Sequence, residues 1–77
     1  MNKNRRNRLD EAVSMIQEAL DRVQEIHDEE EEAYDNMPES LQESERGEQM
    51  SEYIDTLDEA ISNLDDVIEN LQEVVDG

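Results

Sequence analysis

The sequence predicts an all-α protein: an antiparallel, coiled-coil-like helical hairpin that pairs with a second copy to form a four-helix bundle. Three observations lead there. Apolar residues recur on a heptad in two segments of similar length. One break, around Pro38, separates them. Folding the chain about Gln42 brings the two heptads into mutual register. Strand-type alternation is absent, and with 2 Gly and 1 Pro there is little to interrupt a helix.

The first helix is expected over about 9–36. With Val13 as position a, the a row is Val13, Leu20, His27 and Tyr34. The d row is Leu9, Ile16, Val23, Glu30 and Met37. The connection is expected over about 37–45. Pro38 cannot continue a helix without losing a hydrogen bond, and Leu41 is out of phase with both stripes. Pro suits a first helical position, so Pro38–Leu41 can form one turn. Ser44 is a plausible N-cap for the second helix, expected over about 46–76. Its d row is Met50, Leu57, Leu64 and Leu71, and its a row is Ile54, Ile61, Ile68 and Val75. LDEAVS at Leu9–Ser14 recurs as LDEAIS at Leu57–Ser62, which fits either duplication or convergent heptad filling. A short connection makes the helices antiparallel neighbours. Each a position then meets a d position whose number completes 84, as 20 with 64 and 27 with 57. A slip of one heptad is the competing register.

The g positions extend the argument. In this hairpin Ala12, Ala19, Ile26 and Ala33 run beside Tyr53, Ala60, Val67 and Val74 along one edge. The e edge opposite holds Asp10, Gln17, Gln24 and Glu31 with Ser51, Asp58, Asp65 and Gln72. A three-position apolar stripe is wider than a two-stranded seam requires. These eight g residues are therefore the expected dimer interface, because small domains often complete a core by self-association. A heterologous partner on that edge is the alternative.

Composition bounds the function. With 77 residues the chain is one small domain, and without Cys it has no disulfide to reinforce it. There is neither a signal-peptide pattern nor an apolar run of membrane-spanning length. The expectation is a soluble cytoplasmic chain that does not bind membranes. All 24 acids lie between Asp10 and Asp76, whereas Lys3, Arg5, Arg6 and Arg8 stand in the first eight positions. The chain divides into a basic N-terminal arm, 1–8, and an acidic body, 9–77. The body sets 24 acids against Arg22 and Arg46, a formal charge of −22. Such a surface repels nucleic acid and attracts proteins that bind it.

Candidate chemistry is thin. With no Cys, one His and no glycine-rich phosphate loop, the chain is not expected to be an enzyme or to hold a cofactor. His27 and Glu30 are the polar members of the first inner stripe, with Glu31 one turn on from His27. Bundle di-metal sites need further inward glutamates. Gln24 stands where one would be, and the second helix offers no inward carboxylate, so the set reads as a partly solvated polar layer and not a metal site. Asp28–Glu32 is a self-repelling solvated run without the Gly and alternation of an EF-hand. The basic arm can touch phosphates, lie on the acidic body of its own or a second copy, or remain unordered.

Ala33–Ala60, AYDNMPESLQESERGEQMSEYIDTLDEA, resembles small acidic helical proteins encoded by phages and prophages of Gram-positive bacteria. The specific part is NMPESLQESERGE at Asn36–Glu48, joining two acidic helices. The resemblance implies a bacterial host and a phage accessory protein, and carries over no functional residues. From charge and helix length the leading expectation is a DNA-mimic inhibitor of a nucleic-acid-binding host or defence enzyme. Two helices of about 30 residues span roughly 45 Å, a length of duplex carrying about 26 phosphates. The acids expected on the outer b, c, e and f positions are Asp10, Glu11, Glu18, Asp21, Glu25 and Asp28, with Glu52, Asp55, Asp58, Glu59, Asp65, Asp66, Glu69 and Glu73. The alternative is a structural or adaptor bundle that uses the g edge or the 38–47 loop. An RNA-binding hairpin dimer is a lesser reading, since its face would have the wrong sign and no stacking aromatics.

Overall fold

A computed structural model describes residues 1–77 and contains helices only. They are α1 (Lys3–Asp35), α2 (Glu39–Gln42) and α3 (Glu45–Asp76). α1 packs along α3 in a hairpin 58 Å long and 15 by 13 Å across.

α1 starts earlier than the apolar pattern indicates. Asn2 is its N-cap, with the side-chain oxygen accepting from the Arg5 N–H at 2.8 Å. Nothing between Lys3 and Asp35 breaks a helix, so the basic segment is the first turns of α1 and not a separate arm. Hydrophobic phasing could not reveal this, because residues 3–8 have no apolar side chain to phase.

The reversal is built from short-range hydrogen bonds. Asn36 N–H donates to Glu32 O at 3.0 Å, and Met37 N–H to Tyr34 O at 3.1 Å. Pro38 then caps α2 from outside with extended backbone (φ −56°, ψ 145°) and is not its first helical residue, which is Glu39. Its carbonyl accepts from the N–H groups of Leu41 and Gln42. Ser44 caps α3: its Oγ accepts from Gly47 N–H at 3.2 Å and donates to the Leu41 carbonyl. Gln42 Nε2 donates to Tyr34 O at 2.8 Å, tying the loop back to α1. Gln42 is thus both the arithmetic pivot of the heptads and a physical clamp. No residue has positive φ, so Gly47 is needed for closeness and not for backbone conformation. A Cβ there would lie 2.3 Å from Leu41 O and 2.4 Å from Gln42 O.

The seam follows the heptads. Val13, Leu20 and His27 are buried from the a row of α1, and Ile54 from that of α3. Every other a and d position is half-buried, as expected when two helices have no third layer above them. His27 Nε2 lies 2.7 Å from Asp58 Oδ1. That places His27 within one residue of Leu57, its assigned partner. A slip of one heptad would have set it opposite Met50 or Leu64. Beside the seam, Ala19, Ile26, Ala33, Tyr53, Val67 and Val74 of the g rows are exposed, and Ala12 and Ala60 are half-buried.

Candidate partner-binding surface

The acidic surface is built by helical phase. All fourteen acids assigned to it, from Asp10 to Glu73, are exposed. From Glu11 onward the f positions form one unbroken acidic column per helix: Glu11, Glu18, Glu25 and Glu32 on α1, above Asn4, and Glu45, Glu52, Glu59, Asp66 and Glu73 on α3. Glu32 and Glu45 were missing from the assigned set, although their seven-residue spacing was a sufficient signal. Asp35, Glu48 and Asp76, also exposed, extend the b rows. The c row does not share this character. It holds Arg8, Met15 and Arg22 on α1 with Asn36 at its C-cap, Gln49, Thr56, Asn63 and Asn70 on α3, and one acid, Glu29. Going round each helix the order is d, a, e, b, f, c, g. The acid therefore leans to the e–b–f side, away from the apolar g edge.

These carboxylates are largely uncompensated. No Lys or Arg forms an ion pair with any of them; the pairs present all involve His27. Spread over the 58 Å hairpin, 24 acids average one per about 2.4 Å, against one phosphate charge per about 1.7 Å of duplex. The density is uneven, because the basic turns of α1 stand beside the last turns of α3. The densest stretch of acid is the part nearer the loop.

His27 is 8% exposed and organises the one polar layer of the seam. Its Nδ1 hydrogen-bonds Asp28 Oδ1 at 3.0 Å. Its Nε2 faces Asp58 Oδ1 at 2.7 Å and Glu31 Oε2 at 3.4 Å, off the in-plane direction of an N–H donor. The imidazole pKa is raised above its usual value. The hydrogen bond to Asp28 raises it most, burial opposes, and the charges of Asp58, Glu31 and Asp28 add to the rise. Protonated, the ring carries its charge between α1 and α3. Asp58 was the participant that sequence reasoning missed: its e position counted as wet, yet an e side chain can reach across the seam edge. No three of the His, Asp and Glu side chains stand together in metal-holding geometry.

Fold and surface together define an acidic helical hairpin with one anionic side and one apolar edge. Set against known protein families, curated proteins and solved structures, the chain has no match.

Proposed function

We propose that this chain works by binding another protein, and that its e–b–f surface occupies a basic site built for nucleic acid, as a DNA-mimic inhibitor. One observation carries the reading: two continuous columns of exposed carboxylates that no Lys or Arg of the chain neutralises. An acidic coat laced with internal ion pairs would serve solubility equally well. An unpaired coat instead retains its full attraction for a cationic groove. We take the target class to be a host or defence enzyme, the reading that a phage origin of the Asn36–Glu48 segment would imply.

The adaptor reading has its own support in the exposed apolar edge at Ile26, Tyr53, Val67 and Val74. One experiment separates the two. The tagged chain is used to capture partners from a Gram-positive bacterial lysate at low and high salt, with duplex DNA as competitor. A mimic's partner binds nucleic acid, is displaced by the duplex, and is lost steeply as salt rises. Glu18→Lys, Glu25→Lys, Glu59→Lys and Asp66→Lys together abolish that capture. Capture that survives both salt and the four reversals refutes mimicry and favours the adaptor.

A further inference from the structure

The g edge has no occupant in the hairpin. Ile26, Tyr53, Val67 and Val74 are each between 42% and 59% exposed, and all four lie along one side of the seam. We propose that a second copy of the chain covers this edge, and that the two hairpins lie antiparallel, the loop end of each beside the open end of the other.

The edge itself argues for a like partner. The row is repeated on both helices, and its two centres, between residues 22 and 23 on α1 and 63 and 64 on α3, sit within about 3 Å of each other along the axis at 1.5 Å per residue. A two-fold axis perpendicular to the helices through that level brings α1 against α1 and α3 against α3. Ala12 then meets the second copy's Ala33, and Ala19 its Ile26. On the other pair Tyr53 meets Val74 and Ala60 meets Val67. The α1 contact is the closer and the α3 contact the wider, within the usual 8–10 Å between packed helices.

Charge chooses the direction. Side chains of the loop end, from His27 through Asp58, comprise 13 acids and Arg46, a formal charge of −12. At the open end, up to Ala12 and from Leu71 onward, four acids balance Lys3, Arg5, Arg6 and Arg8. Parallel hairpins would set −12 beside −12; antiparallel hairpins set it beside zero. The neighbours stand about 10 Å apart, comparable with a Debye length of about 8 Å at physiological salt, so screening does not erase the difference. Packing does not decide: the parallel pairing sets Ala against a larger side chain in every layer, and the antiparallel pairing offsets small contacts on α1 with larger ones on α3. In the antiparallel pair Arg8 comes level with Met37 of the second copy and Arg5 with its Ser40, beside the acidic reversal just past its α1, and the f columns of both copies face outward.

The chain lacks Cys, so a single label can be placed cleanly. Ser40→Cys, spin-labelled in the full chain, is measured by light scattering for mass and by pulsed EPR for label separation. The expected result is a dimer with labels near opposite ends of a 58 Å body, about 50 Å or more apart. A monomer, or a dimer with labels within about 25 Å, overturns the proposal. Lys3→Glu, Arg5→Glu and Arg8→Glu together should weaken the dimer about tenfold at low salt, the gap narrowing as salt rises. An unchanged dimer constant removes the charge argument and refutes the assigned orientation.

Discussion

Gly47→Ala tests the loop architecture with opposite signs for opposite explanations. By helix propensity alone, Ala in place of Gly inside α3 should stabilise by about 0.8–1 kcal/mol. The packing predicts the reverse. The new Cβ would stand 2.3 Å from Leu41 O, 2.4 Å from Gln42 O and 2.7 Å from Gln42 C. All three are backbone atoms, so no side chain can swing aside. Opening the shortest contact to ordinary van der Waals distance moves the end of α2 by about 1 Å, a backbone shift of the kind that costs about 1–3 kcal/mol. That movement also strains the Ser44 cap, worth about 1 kcal/mol, and the Gln42–Tyr34 clamp. Net of propensity, the variant should lose about 1–3 kcal/mol. For a domain of this size that lowers Tm by roughly 4–8 °C per kcal/mol. The assay is thermal and urea unfolding followed by circular dichroism at one fixed protein concentration. Ser62→Ala, exposed in mid-α3, reports propensity alone. Gly47→Ala as stable as the parent, or more stable, would refute the close-approach account.

Leu20→Ala removes the most buried side chain, 1% exposed, and should cost about 2–3 kcal/mol in urea titration, the low end of the usual range because a two-helix body collapses readily. His27→Gln should destabilise in a pH-dependent way. The folded pKa is raised, so the charged ring's contribution is complete below the unfolded value of about 6.5 and disappears as pH rises through the folded value. The parent's advantage over His27→Gln should therefore be larger near pH 6 than near pH 8.5; a constant gap would discount the ion-pair role. Raising salt from about 0.01 M to about 1 M shortens the Debye length from about 30 Å to about 3 Å. With 24 acids and no Lys or Arg ion pair, Tm should climb with salt, and a falling Tm would contradict the uncompensated surface.

Much of the molecule was legible because heptad phase is a one-dimensional signal. The a and d rows predicted from Val13 and Ile54 are the buried and half-buried positions of the seam, and the sum rule about Gln42 places His27 at Leu57 to within one residue. The fourteen acids assigned to the outer surface are exposed for the same reason. The reading failed where phase is silent. Residues 3–8 have no apolar member, so their helicity came from an Asn2 cap and not from a stripe. Asp58 looked peripheral because an e position borders the seam without belonging to it, and only the reach of its side chain makes it a partner of His27.

Sequence alone determined the helical class, the place of the reversal, the pairing of inner rows and the anionic outer rows, because each depends on residue type at fixed angular steps. Tertiary structure decided what depends on distances between separate segments. It packed Gly47 against the α2 carbonyls, clamped Gln42 to Tyr34, and drew His27 between Asp28, Glu31 and Asp58. It also left the g edge open to water, since two helices have only one face each to give the other.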